Sequence, residues 1–231
     1  MKKNKKSILV VAAHPDDEAL GCGGTIAKLT KNGSVVNILF VSNGVDSRGG
    51  TKKEIKNNMK IRKKAAIKSC EVLGAKYPTF LDLPDNQLDK FSLLQLTKMI
   101  EKFVKKYSPS IVYTHFGEDL NIDHRIVHKA VITACRPQKK CSVKTLFFFE
   151  VPSSTEWKIN SKRNSFEPNW FEDITSTKKK KYKALKAYFM ELKKWPHPRS
   201  LKGIKALVRW RGATAGVEAA ESFIMGRNIS K

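Results

Sequence analysis

The sequence predicts an α/β fold, a Rossmann-like three-layer arrangement of a mostly parallel sheet with a helical C-terminal extension. Apolar runs rich in β-branched residues alternate with segments of helical periodicity, as in strand–helix–strand units. Polar clusters follow two of these runs, where parallel strands present a ligand crevice. The 231 residues can bury one sizeable core. We expect one domain over 1–231, with a core of about 1–150 and an extension of about 151–231.

The first part of the predicted core contains three strands and two helices. Apolar runs predict the strands, and amphipathic segments predict the helices. Gly33 and Gly74 follow the two helical segments and indicate their ends. The glycine-rich run 21–24 lacks the spacing of a dinucleotide-binding fingerprint and indicates close packing of the first helix. The strands are predicted over 8–13, 35–42 and 77–81, and the helices over 18–32 and 53–73, with polar loops at 43–51 and 83–89.

The second part of the chain continues the alternation and then changes character. Leu96, Ile100 and Phe103 lie on one face of a predicted helix. Beyond Val151 the segment 152–174 is polar and aromatic, and we expect it to be irregular. The predicted elements are helices over 91–107 and 124–135, strands over 110–115 and 145–150, and extension helices over 178–195, 201–212 and 218–225.

Composition limits the classes of partner. The net charge is +24, but the lysines occur mostly as pairs spread along the chain, which favours a solvated basic surface with some attraction for an anionic substrate. No zinc-finger spacing, aromatic RNA motif or basic heptad helix is present, so we expect no specific nucleic-acid partner. No apolar run approaches the roughly 20 residues of a transmembrane segment. The lysines at 2–6 precede an apolar stretch that is too short for a leader peptide. The four cysteines are irregularly spaced, which indicates free thiols. We therefore expect a cytoplasmic protein.

A histidine and three acids end the first predicted strand. His14, Pro15, Asp16, Asp17 and Glu18 follow the apolar run directly. Carboxylates there must be desolvated or paired, and a divalent cation would remove that cost. Asp16 and Asp17 are neighbours on a turn, so one can ligate a metal while the other faces its bound water. A helix cap with a solvated acid pair is the alternative interpretation.

The segment 115–128 forms a second polar cluster after a buried strand. In a parallel sheet its start lies at the same edge as His14, so His124 can face His14 and Asp17 across a crevice. Two imidazoles and one carboxylate, with an open position for water, form a catalytic zinc shell, and the same donors suit Fe²⁺. A structural role for His124 is the alternative. His115 can line the pocket or form a local hydrogen bond.

The motif at 14–18, with Asp123 and His124 after a later strand, resembles the PIG-L/LmbE-like zinc-dependent N-acetylglucosamine deacetylases. The resemblance extends over nearly the whole chain, including loops 43–49 and 83–85. It implies an LmbE-like deacetylase domain that hydrolyses an N-acetyl group of a hexosamine. Zinc lowers the pKa of its water and polarises the amide carbonyl in such enzymes. The residues that match the family's metal ligands are His14, Asp17 and His124, the general base matches Asp16, and the substrate contacts match Arg62 and Asp85.

One position departs from the family pattern. Many members carry a histidine three residues before the last metal ligand, where this chain has Asn121, which can donate a hydrogen bond but cannot carry charge. We therefore take Asn121 and His115 as candidates for stabilising the oxyanion, with His128 as a further alternative. Arg48 and His128 are added as substrate-binding candidates. A surface location is the alternative for Arg48, Arg62 and His128.

The expected partner is a small amino sugar, with an anionic form such as a sugar nucleotide or a lipid-linked sugar favoured by the basic surface. A homo-oligomer is left open. Three alternatives remain at this stage: an amidase for another acylated amino sugar or thiol conjugate, a catalytically silent family member, and a nucleic-acid-binding protein that shares the fold.

Overall fold

A seven-stranded sheet organises the computed structural model, which describes residues 6–159 and 165–230. Its strand order is β3-β2-β1-β4-β5-β7-β6. The neighbours from β3 to β5 pair in parallel, whereas β7 runs antiparallel to β5 and β6. The strands are β1 Ser7–Ala12, β2 Val35–Ser42, β3 Thr79–Leu83, β4 Ile111–His115, β5 Thr145–Phe149, β6 Trp170–Asp173 and β7 Ala220–Asn228, and the helices are α1 Asp17–Lys31, α2 Lys52–Leu73, α3 Leu93–Tyr107, α4 Ile122–Ala134, α5 Lys178–Ala187 and α6 Leu201–Thr214.

The central strand β1 is apolar on both faces because helices cover both sides of the sheet. Its side chains alternate between two hydrophobic clusters, as the period of a strand requires. Ile8 and Val10 pack in a cluster with residues of α1, α2 and α5, whereas Leu9 and Val11 pack with residues of α3 and α4. The predicted α/β class with a mostly parallel sheet and helices on both faces is therefore confirmed.

The C-terminal extension is less helical than predicted. The predicted helix over 218–225 is wrong, because this segment forms β7, which lies between β5 and β6. A strand, β6, lies in the segment expected to be irregular, of which 160–164 lies outside the described residues. The predicted helix over 178–195 ends at Ala187. Pairing with the edge of β5 overrides the helix propensity of the alanines and glutamates around position 220.

The expectation that the first residues are not a leader peptide rests partly on the lysines at 2–6. Of these lysines, only Lys6 lies within the described residues. The four cysteines are free, as predicted. Crossing a bilayer takes a helix longer and more apolar than any that the described residues form.

A buried ion pair holds α1 against the extension. Lys181 and Glu221 are both almost fully buried, and Lys181 Nζ lies 2.5 Å from Glu221 Oε1. Helix α1 is kinked at Cys22, and the Glu221 carboxylate accepts hydrogen bonds from the backbone N–H groups of Gly24 and Thr25 just beyond the kink, at 2.8 and 2.7 Å. A Cβ atom at position 24 would lie 2.6 Å from the Ile174 side chain, so glycine permits this close approach.

We expect the substitution Glu221→Ala to lower the free energy of unfolding by about 3–5 kcal/mol, because Lys181 would keep a buried charge without its carboxylate. Urea denaturation measures this change. Glu218→Ala is the control, since Glu218 forms its ion pair with Lys178 at the surface and its loss should cost at most about 1 kcal/mol. Equal effects of the two substitutions would contradict a specific role for the buried pair.

Candidate active site

Three donor atoms converge where β1 and β4 end. His14 Nδ1 lies 3.2 Å from Asp17 Oδ2 and 3.3 Å from His124 Nε2. Asp17 Oδ2 lies 3.4 Å from His124 Nε2, and all three residues are buried. Four ligands about a zinc ion at bond lengths of about 2.0–2.1 Å are separated by roughly 3.3–3.4 Å in a tetrahedral site. The three donors therefore have the mutual spacing of one face of such a site.

The geometry supports a cation at this point in two further ways. Asp17 Oδ1 is buried and has no hydrogen-bond partner among the described residues, so the carboxylate has capacity for a ligand. The other ring nitrogen of His14, Nε2, lies 3.1 Å from Asp123 Oδ2 and 3.1 Å from Asp85 Oδ1. Because carboxylates only accept hydrogen bonds, Nε2 carries a proton, and Nδ1, which faces Asp17 and His124, is the ring nitrogen that a cation could bind in place of a proton.

Carboxylates also lie next to the second ring nitrogen of each imidazole, Nε2 of His14 and Nδ1 of His124. Asp123 faces His14 and accepts the backbone N–H groups of Asn86 and Leu88, at 2.8 and 3.1 Å. Asp119 Oδ1 lies 3.2 Å from His124 Nδ1. Acids that fix the orientation of a histidine and raise its basicity are a usual feature of metal sites.

Asp119 is in turn held by several donors. Thr155 donates its hydroxyl to Asp119 Oδ2 at 2.6 Å, Ser154 donates to Oδ1, and the backbone N–H of Asn121 donates to Oδ1 at 2.9 Å. These bonds lock the carboxylate in place, and they join the β5–β6 connection to the site.

The local potential favours a positive charge. Burial lowers the pKa of His124, but Asp17 and Asp119 outweigh it and raise that pKa to about 9. The pKa of His14 is also raised despite burial, through Asp123, Asp17 and Asp85. Burial raises the pKa of Asp17, but the histidines lower it overall, so the carboxylate is ionised. The potential that favours protonated imidazoles would equally favour a divalent cation.

Asp16 lies beside this centre in a strained turn. Its φ of 133° is in the left-handed half of conformational space, which non-glycine residues rarely adopt. Its backbone N–H donates to Glu18 Oε2 at 3.1 Å. Its side-chain oxygens accept from Arg62 Nη2 at 2.9 Å and from Arg199 Nη1 at 3.1 Å. Burial raises the pKa of Asp16, and the two arginines oppose that rise.

Glu191 links the arginines around Asp16. It receives two hydrogen bonds from Arg48, at 2.9 and 2.7 Å, and forms an ion pair with Arg62 Nη1. Arg62 is buried, whereas the Arg48 side chain is 49% exposed. The structure thus brings both predicted arginines to the site, Arg62 against Asp16 and Arg48 at its rim.

Asn121 and His115 flank the centre in different settings. Asn121 caps α4, where its Oδ1 accepts the backbone N–H of Asp123 at 2.8 Å, and its Nδ2 donates to Asn86 at 3.1 Å. His115 is fully buried, stacks on His124 with ring centroids 3.9 Å apart, and accepts the Ala13 N–H on Nε2. Burial lowers the pKa of His115, so its ring is neutral.

Asp85 and His128 are the remaining predicted residues. Asp85 is buried, contacts His14 and accepts the Ser47 hydroxyl, so it belongs with the residues that hold the histidine. His128 donates from Nδ1 to the His115 carbonyl oxygen at 2.9 Å and packs against Phe148. The structure does not join His128 to the cluster around Asp16.

Sequence reasoning missed several polar residues of the site, most of them buried. Asp123 was recognised only as the neighbour of His124. Arg199 lies 183 residues from Asp16, and no spacing in the sequence relates the two. The residues without a predicted role are Glu18, Asp119, Asp123, Glu191 and Arg199.

The chain is similar to a known family and to several known proteins. The PIG-L family, described as GlcNAc-PI de-N-acetylase, matches residues 9–135. The uncharacterized deacetylase YaiS of Escherichia coli is 30% identical over 181 residues, which are 74% of this chain and 83% of that protein. A 4-oxalmesaconate hydratase of Pseudomonas putida is 28% identical over 207 residues, covering 80% of this chain and 74% of the hydratase.

A solved structure shares the fold. The N,N'-diacetylchitobiose deacetylase of Pyrococcus horikoshii superposes with a TM-score of 0.78 at 20% identity, covering 97% of this chain and 85% of that one. At this identity the similarity concerns the arrangement of the sheet and helices.

We expect Asp119→Asn to weaken binding of Zn²⁺ by about 10- to 100-fold, because His124 would lose the carboxylate that orients it. Competition with a chromophoric chelator measures the affinity. Glu118→Gln is the control, because Glu118 pairs with Lys158 at the surface and forms no ion pair with His14 or His124 among the described residues. Unchanged zinc affinity in Asp119→Asn would show that Asp119 does not support the ligand.

Proposed function

Because the chain belongs to the PIG-L family of GlcNAc-PI de-N-acetylases, we propose that it is a metal-dependent hydrolase that removes an N-acetyl group from an amino sugar. The observation that carries the proposal is the convergence of His14, Asp17 and His124 beside the buried carboxylate of Asp16. A deacetylase relative that covers most of the chain supports the reaction class.

The proposed ligands are His14, Asp17 and His124. Imidazole and carboxylate donors suit Zn²⁺ and also Fe²⁺, and we propose zinc with iron(II) as the alternative. When bound, the metal would lower the pKa of a coordinated water to about 7 and polarise the amide carbonyl. Asp123 and Asp119 would keep the two imidazoles oriented toward it.

We assign Asp16 the role of proton carrier. It would accept a proton from the water that attacks the amide carbon and return it to the amine nitrogen as the C–N bond breaks, releasing acetate. Arg62 and Arg199 each donate a hydrogen bond to one oxygen of Asp16, and this fixes the carboxylate in one orientation. Burial raises its pKa, which brings its basicity closer to that of a useful general base.

Of the two candidates for stabilising the oxyanion, the contacts favour Asn121. Its side-chain amide has two N–H groups, of which one is donated to Asn86, and the residue is half-buried. His115 is fully enclosed and its Nε2 already accepts a hydrogen bond. Its contribution would therefore be to hold the His124 ring in place by stacking against it. His128 remains a less favoured candidate for substrate contact.

Substrate binding is assigned chiefly to Arg48, whose guanidinium is half-exposed at the rim and held by Glu191. An exposed guanidinium in a fixed position suits a sugar that carries an anionic group. Arg62 and Asp85 are buried and would act through Asp16 and His14 respectively.

The hydratase relative supports a second candidate, addition of water to a carbon–carbon double bond at the same centre. Both reactions add water to an unsaturated carbon, so a centre that activates water could serve either. Hydration releases no acetate, so measuring acetate from a panel of N-acetylhexosamine compounds distinguishes them. A panel of other N-acyl amino sugars and thiol conjugates tests the remaining amidase alternatives.

We expect Asp16→Asn to leave the metal content unchanged and to lower the rate of acetate release by about 10²- to 10⁴-fold, because an amide cannot carry the proton. Metal analysis and acetate assays on the same preparation measure both quantities. Asp89→Asn, a substitution at an exposed acid, is the control. Undiminished turnover in Asp16→Asn would remove this residue from the mechanism.

We expect chelation of the metal to abolish acetate release and also to lower the melting temperature, since the ligands would be left as a buried cluster of charge. Readdition of Zn²⁺ or Fe²⁺ to the stripped protein, followed by thermal denaturation and assay, compares the two ions. Full activity in protein shown by elemental analysis to be metal-free would contradict the proposal.

A further inference from the structure

Half of the net charge of the protein lies in one short part of the C-terminal extension. The 34 residues 178–211 contain thirteen lysines and arginines and a single acid, Glu191, which gives a local net charge of +12 out of +24 for the chain. The sequence suggested a basic surface spread over the whole molecule. The concentration of charge in α5, α6 and the loop 188–200 between them, here named the basic face, does not fit that expectation.

The exposed cations of the basic face line a groove between α5 and α6. Its walls are formed mainly by Lys179, Lys183, Lys186, Lys205 and Arg209, with Tyr182 between them. None of these five cations forms an ion pair within the described residues, whereas the nearby Lys178 pairs with Glu218 and the buried Lys181 pairs with Glu221. The groove is therefore an uncompensated positive surface that attracts polyanions.

Large apolar side chains are exposed at one end of this surface. Phe189 is 66% exposed and Met190 43%, both just after α5, and Trp195 in the following loop is 54% exposed. Lys202 at the start of α6 lies over the Trp195 ring, 4.7 Å from its centroid. Aromatic side chains interleaved with lysines are typical of protein surfaces that lie in the interfacial region of a membrane.

The loop with these apolar side chains also reaches the candidate active site. Glu191 and Arg199 belong to it, and they contact Arg62 and Asp16. Phe189 and Met190 line a cavity together with Arg48 and with the apolar side chains of α2. The exposed apolar end of the basic face is therefore also the rim of the site.

We propose that the basic face docks on an anionic lipid bilayer, with its lysines at the headgroups and Phe189, Met190 and Trp195 at the interface. The charge is mostly lysine, which acts as a point charge toward any anionic surface, whereas reading of nucleic-acid phosphates favours the bidentate geometry of arginine. The apolar side chains and the apolar cavity beside them match lipid rather than a nucleic-acid backbone. Binding of this kind needs no catalysis, so it stands independently of the proposed reaction.

Sedimentation of the full chain with vesicles tests the proposal. Vesicles of phosphatidylcholine alone are compared with vesicles of equal parts phosphatidylcholine and phosphatidylglycerol, at low and high salt. We expect strong, salt-sensitive binding to the anionic vesicles only. The triple variant Lys179→Glu/Lys183→Glu/Lys205→Glu should weaken it by about a hundredfold or more, since each lysine near an anionic surface contributes roughly fivefold.

A matched control separates a local surface from overall charge. The variant Lys98→Glu/Lys102→Glu/Lys105→Glu makes the same charge change at exposed positions of α3, which packs on the opposite face of the sheet from α5. It should bind the anionic vesicles almost as well as the unaltered chain. Circular dichroism and thermal denaturation of both variants establish that each is folded.

A third variant tests the apolar end. Phe189→Ser/Trp195→Ser should weaken vesicle binding while leaving its salt dependence intact, because the lysines are unchanged. Three results would overturn the proposal: equal binding to neutral and anionic vesicles, equal losses in the two lysine variants, or tighter binding to a single-stranded oligonucleotide than to anionic vesicles at matched salt.

Discussion

Buried negative charge at the carboxyl edge of β1 and β4 is the constraint that the rest of the site satisfies. Taking carboxylates out of water is costly unless cations and hydrogen-bond donors replace the solvent. His14 and His124 supply two partners, and Arg62 and Arg199 supply two more. The acids gathered there and buried are Asp16, Asp17, Glu18, Asp85, Asp119, Asp123 and Glu191.

Six of those acids fall into two groups with different compensation, whereas Glu18 accepts the hydroxyls of Ser69 and Tyr188. Asp17, Asp85, Asp119 and Asp123 face the imidazoles, so a divalent cation between His14 and His124 would offset part of their negative charge. Asp16 and Glu191 face the arginines instead and form a separate network. The boundary between the two groups runs between neighbouring residues, Asp16 and Asp17. The strained turn makes this possible, because it directs consecutive side chains to opposite partners.

The C-terminal extension is part of the site. Arg199 and Glu191 reach Asp16 and Arg62 from the loop between α5 and α6, and Tyr188 donates its hydroxyl to Glu18 at 2.7 Å. The Lys181–Glu221 pair then holds α1, whose first residue is Asp17, against this extension. A single segment thus compensates the charge of the interior while it presents the basic face outward.

The sequence alone determined the α/β core and singled out the residues that we propose as metal donors and base. The carboxylates behind the histidines, the second arginine on Asp16 and the strand β7 were decided only by the tertiary structure. The donors are readable because His14, Asp16 and Asp17 are local to one strand end, and the edge of a parallel sheet places His124 opposite them. The segment around position 220 has the composition of a helix, but it forms a strand because it pairs with the open edge of β5. Arg199 meets Asp16 across 183 residues, and such a contact depends on the order of strands and the packing of helices, which local periodicity does not encode.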